Sequence, residues 1–405
     1  MTDVRSGWGL LNCAGRRLSK FQTTDALLAD GRYEVHPVAL PDTTRDRHYN
    51  GFSNGTLWPL FHYFPRWCAT SRIGSVTQEA NRLFWERWRA SSGRVTVCGC
   101  MTTTLCCCRH CCANISPDLA IAFFLHIPFP SYEIFRLLPD PWRRALLEGM
   151  LGADLIGMQT HDNVQYLLKS VQRFSGFWNS TCVRCVAVST VVDAFPVSID
   201  PARFRDTFDD HAVVAAKNLL RKDAAGRRIV LSIDRLDYTK GGLQRLHGFE
   251  RMLEQDPELI GKVTYLMIII PSRDAITKYR ELKERIEATV GRINGRFGDV
   301  DWQPVVYQYR SVDHKKLCAI YQAAEVALVT PLRDGMNLIA KEYVAARKDR
   351  RGVLVLSETA GAANELGGAL IINPSDPNAI AAALVRALEM PAQEQAGRMA
   401  QCNNA

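Results

Sequence analysis

Two charged turns, about a hundred residues apart, hold the side chains best suited to chemistry. Ser-Ile-Asp-Arg-Leu-Asp-Tyr-Thr-Lys-Gly-Gly (232–242) offers Arg235 and Lys240, and Thr-Pro-Leu-Arg-Asp-Gly-Met-Asn-Leu-Ile-Ala-Lys-Glu (330–342) offers Asp334 and Glu342. Cations suit a diphosphate, and carboxylates suit the hydroxyls of a sugar or ribose. The second turn also leads into a helix, whose first backbone amides point outward and favour anions. Gly335, Met336, Asn337 and Leu338 would supply those amides. Taken singly, each residue has a plain structural use: Arg235 and Lys240 as solvated loop charges, Asp334 as a helix cap, Glu342 as a helix-surface charge. Taken at this spacing, they look like half of a nucleotide-sugar site.

The elements that must position these turns are legible. Strands are predicted at Arg228–Asp234, Val263–Ile270, Val305–Tyr309, Val326–Pro331, Gly352–Ser357 and Ala369–Asn373. Nearly all are separated by single helices such as Asn337–Arg347, and a helix at Asn378–Met390 follows the last, the alternation of a parallel, doubly wound α/β sheet. In such a sheet ligands bind beyond the carboxyl ends of the strands, where both turns fall. The domain is placed at 200–405, after an Asp-Pro boundary at Asp200.

The amino-terminal domain, 1–199, is predicted to be α/β as well. Strands are expected at Tyr33–Leu40, from Ala120 to His126, at Ala153–Gln159 and Val186–Ile199, with a helix at Asp162–Phe174. Ala-Ile-Ala-Phe-Phe-Leu-His-Ile-Pro-Phe-Pro (120–130) is a buried-strand pattern ending at His126 and two prolines; a lone histidine at a strand end is usually structural, but before Ile-Pro-Phe-Pro at a sheet's carboxyl edge it is a candidate ligand contact. His-Tyr-Asn-Gly-Phe-Ser-Asn-Gly-Thr-Leu-Trp-Pro (48–59) reads either as an aromatic core corner or as a sugar platform built from Tyr49 and Trp58.

Bulk composition sets bounds. The chain has 405 residues, 47% hydrophobic and 23% charged, enough for two domains. No apolar run approaches the roughly 18 residues of a membrane span and the start lacks a signal-peptide core, so the expected location is cytoplasmic. The formal charge of +8 is spread along the chain, which favours small anionic substrates over nucleic acid.

Five motifs together resemble the trehalose-6-phosphate synthases, the retaining, two-lobed GT-B glycosyltransferases of family 20: 48–59, Phe-Leu-His-Ile-Pro-Phe-Pro, Asp-Arg-Leu-Asp-Tyr-Thr-Lys-Gly, Arg-Asp-Gly-Met-Asn-Leu-Ile-Ala-Lys-Glu and Ser-Glu-Thr-Ala-Gly-Ala-Ala-Asn-Glu-Leu (357–366). The resemblance covers about 33–65 and 115–400. It implies two Rossmann-like domains facing across a cleft and transfer of glucose from UDP-glucose, as co-substrate, to glucose 6-phosphate. It implies no further cofactor, no metal, no membrane and no nucleic acid, and leaves room for a homo-oligomer. By resemblance, Arg235, Lys240 and the Gly335–Leu338 amides hold the diphosphate, and Glu342 takes the ribose. Asp334 and His126 meet the donor glucose, and Tyr49, Trp58 and Arg273 bind the acceptor.

The chain departs from that pattern at its start and between 66 and 112. The family's opening Asn-Arg pair and Gly-Gly loop have no counterpart here, so the amino-terminal lobe is expected to be truncated; only Gly15 and its neighbours resemble the turn that follows. Seven of the thirteen cysteines fall between Cys98 and Cys112, where the family has Trp-Val-His-Asp-Tyr-His-Leu. No helix or strand period is visible there. Adjacent cysteines such as Cys106, Cys107 and Cys108 make a poor zinc site, which counts against a metal or nucleic-acid module. Codons offer a better account: Cys is only TGT or TGC and Met only ATG, and one allowed choice for Val97–Cys112, read two bases later, gives Val-Trp-Val-His-Asp-Tyr-His-Leu. The same shift gives fitting peptides for Arg66–Thr77 and Trp85–Val97. A frameshifted lobe is expected to lack a core strand, which leaves open an inactive relative that binds a nucleotide-sugar or a partner without transfer.

Overall fold

A computed structural model describes residues 5–9, 26–27, 33–65, 77–84, 86, 97–100, 120–175, 182–185, 188–272 and 277–403. The chain divides into two compact units, Met1–Phe195 and Pro196–Ala405.

The carboxyl-terminal unit is built on six parallel strands: β9 (Arg228–Arg235), β10 (Val263–Ile270), β11 (Val305–Tyr309), β12 (Val326–Val329), β13 (Val353–Ser357) and β14 (Leu370–Ile372). They lie in the order β11-β10-β9-β12-β13-β14, numbering here the strands of the whole chain. Counted within the unit this is 3-2-1-4-5-6, the Rossmann order, whose direction reverses between β9 and β12. Near-continuous apolar runs such as Val-Thr-Tyr-Leu-Met-Ile-Ile-Ile in β10 suit strands covered on both faces. Alternation along β9 sorts them: Val230 joins a core with Leu246, Phe249, Ile286 and Leu384, while Leu231 and Ile233 join one with Tyr321, Tyr343 and Val344. Helices α4 (Gly242–Gln255), α5 (Thr277–Phe297) and α8 (Pro377–Glu389) cover the first face. Helices α3 (His211–Asp223), α6 (His314–Ala323), α7 (Leu338–Ala346) and α9 (Ala392–Asn403) carry residues on the second.

The amino-terminal unit holds two sheets. β1 (Arg5–Gly9), β2 (Ala26–Leu27) and β3 (Tyr33–Pro37) form one, in the order β1-β3-β2. β4 (Val97–Cys100), β5 (Ala120–Leu125), β6 (Leu155–Met158), β7 (Cys182–Cys185) and β8 (Val188–Ala194) form the other, in the order β4-β5-β6-β8-β7. Its pairs are parallel except β7 against β8. α1 (Asp140–Met150) and α2 (His161–Ser175) pack beside it, with Leu146, Leu147, Leu167 and Val171 in the same core as Phe123, Leu125 and Ile156.

One expectation is corrected. The 66–112 stretch does carry regular structure: residues 77–84 are helical, and Val97–Cys100 pair in parallel with Ala120–Phe123. Strand pairing uses backbone groups alone, so the ladder forms with valine, glycine and cysteine. A helix also occupies 42–61. Its middle follows a period other than 3.6, which hid it from a search for that repeat.

Candidate active site

The two charged turns meet at the switch point of the carboxyl-terminal sheet. β9 ends at Arg235, which is exposed, and a single 3-10 turn, Tyr238–Lys240, follows, capped by Asp237, whose carboxylate accepts from the Thr239 amide at 3.0 Å. Tyr279 donates to the other oxygen of Asp237 at 3.3 Å, which ties the turn to α5. Gly241 then takes φ +72°, and a Cβ there would lie 2.4 Å from the Thr330 carbonyl oxygen. Only glycine tolerates both demands. The β9 turn therefore lies directly on the end of β12, and the Leu332 amide donates to the Thr239 carbonyl at 2.8 Å. Beneath them the buried Arg245 guanidinium pairs with Asp234 at 2.6 Å and donates to the Leu328 carbonyl at 3.3 Å, joining the same two strands.

That contact brings Lys240 and Asp334 together. Lys240 Nζ donates to Asp334 Oδ2 at 2.5 Å, and Asn337 Nδ2 donates to the same oxygen at 3.2 Å. Burial alone would lower the lysine's pKa, but the Asp334, Asp234 and Asp237 carboxylates outweigh it and the net shift is upward, so the ammonium is charged at neutral pH. Asn337 caps α7: its Oδ1 accepts from the Ala340 amide at 3.2 Å, and its φ of 83° is one that asparagine tolerates better than most residues. Leu338 is the first helical residue, Asn337 its cap, and Gly335 and Met336 precede the cap.

The fifth motif, for which the sequence offered no role, supports this loop. Ala362 donates to the Met336 carbonyl at 2.8 Å and Gly361 to that of Asp334 at 3.2 Å, while Asp334 donates to the Thr359 carbonyl at 3.2 Å. A Cβ on Gly361 would fall 2.0 Å from the Gly335 oxygen. One turn further along α7, Glu342 accepts a hydrogen bond from Tyr321 at 2.8 Å, and burial raises its carboxyl pKa.

In the amino-terminal unit His126 follows β5 directly and is exposed, its ring 4.7 Å from that of Phe124; desolvation by its neighbours lowers its pKa. The loop beyond it is fixed: Phe129 is buried against Phe61 and Phe135, its amide donates to Asn163 Oδ1 at 3.2 Å, and the Ser131 amide donates to the Tyr63 hydroxyl at 2.9 Å.

Tyr49 lies on an unusual helix, and Trp58 follows it directly. Asp46–Leu57 is a π-helix. The Trp58 amide donates to Ser53, and two side chains repeat the five-residue step: Asn54 Nδ2 to the Tyr49 carbonyl at 2.8 Å and Thr56 Oγ1 to that of Gly51 at 3.4 Å. Its buried residues His48, Phe52, Ser53, Thr56 and Leu57 recur at about four to five positions, the π period. From Tyr49 to Trp58 is about two such turns, a spacing that places the two half-buried residues at similar angles about the helix axis; an α-helix would turn about two and a half times. The buried side of this helix is the aromatic core corner, with Phe52 and Leu57 in the core of the unit. Gly15, Arg273 and most of 66–112 lie outside the described residues.

The glycosyltransferase family 20 model matches residues 13–405. The chain belongs to glycosyltransferase family 20. It is 41% identical to a bifunctional trehalose-6-phosphate synthase/phosphatase of Thermoproteus tenax over 90% of this chain, and spans half of that relative's length. It is 37% identical to an alpha,alpha-trehalose-phosphate synthase [UDP-forming] of Schizosaccharomyces pombe, over 89% of this chain and 71% of the relative. The structure of a UDP-forming alpha,alpha-trehalose-phosphate synthase from Burkholderia xenovorans, in complex with glucose-6-phosphate, matches with a TM-score of 0.88 at 32% identity, over 92% of this chain and 84% of that one. Among the described residues of this family 20 chain no helix is long and apolar enough to cross a membrane, and no group of three or more His, Cys, Asp or Glu is placed to hold a metal ion.

Proposed function

We propose that this chain transfers glucose from UDP-glucose to glucose 6-phosphate with retention, forming trehalose 6-phosphate and UDP in the cytoplasm. The observation that carries this reading is the Lys240–Asp334–Asn337 cluster at the start of α7, on the switch point of a Rossmann sheet, in a member of family 20. A charged ammonium and helix-start amides favour a diphosphate, most of all as negative charge builds on it during departure. In this reading Arg235 adds a second cation and Glu342 accepts from the ribose. Asp334 and His126 face the donor glucose, and Tyr49, Trp58 and Arg273 receive the acceptor.

The bond from the anomeric carbon of glucose to the β-phosphate oxygen breaks, and its electron pair leaves with UDP. The anomeric hydroxyl of glucose 6-phosphate forms the new bond on the same face, and its proton passes to the departing phosphate oxygen. The donor is itself the co-substrate, and no further cofactor enters this balance.

The test is UDP release by the purified full chain. It should require both UDP-glucose and glucose 6-phosphate and yield trehalose 6-phosphate in equal amount. Donor binding with no acceptor-dependent release would overturn it in favour of a binding protein.

A further inference from the structure

Tyr321 is a residue to which neither the sequence motifs nor the reaction gave a part. It lies on α6 and is 1% exposed, its ring edge-on to Tyr343 at 6.2 Å and tilted against Phe204 at 6.5 Å. A phenol so enclosed has a fixed direction, and its hydroxyl must find a partner. That partner is Glu342 Oε2 on α7, at 2.8 Å. Glu342 is only partly buried, unlike Tyr343 beside it, and the Tyr321 bond holds one of its two carboxylate oxygens.

A carboxylate on a long side chain rotates freely unless something holds it, and a bond to a vicinal diol needs its oxygen at a defined place. We propose that Tyr321 is a positioning residue for nucleotide selection: its hydroxyl locks the Glu342 carboxylate so that the second oxygen accepts from a ribose hydroxyl, which makes the site prefer ribonucleotides over deoxyribonucleotides. This rests on the reading in which Glu342 takes the ribose. Burial raises the Tyr321 pKa well above its ordinary value, so the phenol remains a donor over the working pH range.

The experiment is calorimetric titration of the full chain with UDP, 2′-deoxy-UDP and 3′-deoxy-UDP, for the native protein and for Tyr321→Phe and Glu342→Gln. The native protein should bind UDP about tenfold or more tightly than at least one deoxy form, as expected for a hydrogen bond to a charged group. Tyr321→Phe should leave the affinity for that deoxy form unchanged and bring UDP to within about threefold of it. The ratio separates the proposal from a merely structural role, because a loosened unit weakens all three nucleotides together. Preservation of the native ratio in Tyr321→Phe, or a uniform loss across the three, overturns the proposal while leaving Glu342 in place. Equal affinities in the native protein overturn the ribose reading itself, and the proposal with it. Glu342→Gln should abolish the preference whatever Tyr321 does.

Discussion

Lys240 and Asp334, 94 residues apart in sequence, meet at 2.5 Å where the first and fourth strands of the carboxyl-terminal sheet end side by side. The pair is partly buried, 15% and 16% exposed by side chain, so its charges act through less solvent than a surface pair's. Lys240→Ala should therefore weaken UDP binding by about 10- to 150-fold, the effect of losing a charged hydrogen bond of roughly 1.5–3 kcal/mol. Lys240→Arg should recover only part of it, because a planar guanidinium does not replace a compact ammonium held by one carboxylate oxygen. Calorimetric titration with UDP measures both; native affinity in Lys240→Ala would remove the residue from the donor site.

Gly361 bears on the same site from β13's side. The predicted Cβ position, 2.0 Å from the Gly335 oxygen, leaves Gly361→Ala no room unless the Asp334–Met336 loop moves. Overpacking of this kind costs about 1–3 kcal/mol. The expected outcome is a lower melting temperature for the carboxyl-terminal unit and a raised KM for the donor. Gly367→Ala, where a Cβ would meet nothing within 4 Å, is the control and should behave as the native chain.

These two relationships also show what a sequence discloses. The central strands β9, β10, β12 and β13 were legible because each is a largely buried apolar run, and the turns after β9 and β12 because charge and glycine follow such runs. Gly361 against Gly335 and Tyr321 against Glu342 were not, since each joins segments of no fixed sequence distance and ordinary composition. The π-helix was hidden for another reason: residues 48–57 bury every fourth or fifth side chain, which looks aperiodic against a repeat of 3.6. In 66–112 composition misled, because a strand ladder needs only backbone and β4 forms it with Val-Cys-Gly-Cys.

The π-helix makes a prediction about the acceptor alone. Asn54 holds the Tyr49 carbonyl at 2.8 Å across one π turn. Asn54→Ala removes that bond and should let Tyr49 drift from the Trp58 side, raising KM for glucose 6-phosphate several-fold while UDP affinity stays native. A change in UDP affinity equal to that in KM would assign Asn54 a general structural role instead.

His48 makes the amino-terminal unit sensitive to acid. It is fully buried, bonded to Thr77 at 3.3 Å, and burial lowers its pKa from 6.5 to about 4. The folded imidazole is neutral, whereas the unfolded one takes up a proton below its ordinary pKa. The stability it contributes is complete above pH 6.5 and is lost as pH falls from there toward 4, by about 3 kcal/mol in all. Denaturant melts from pH 7.5 to 4.5 should therefore shift less in His48→Asn than in the native chain. Parallel shifts would show that His48 titrates freely.

The reading-frame proposal for 66–112 is decided by the coding DNA. The strand at Val97–Cys100 lies beside β5, so the shifted peptide, Val-Trp-Val-His, would enter the sheet at the same place without changing the ladder. What the shift alters is side chains: Cys98 and Cys100 become Trp and His, and Asp-Tyr-His follows them in the sequence. The expected codons for Val97–Cys112 read Val-Trp-Val-His-Asp-Tyr-His-Leu two bases later, and codons that exclude His-Asp-Tyr-His end the proposal. A chain rebuilt in the shifted frame from Arg66 through Cys112 should then turn over glucose 6-phosphate faster than the native chain at equal UDP affinity, because the donor-side cluster around Lys240 is the same in both. Equal turnover by the two chains would show that the segment takes no part in acceptor use.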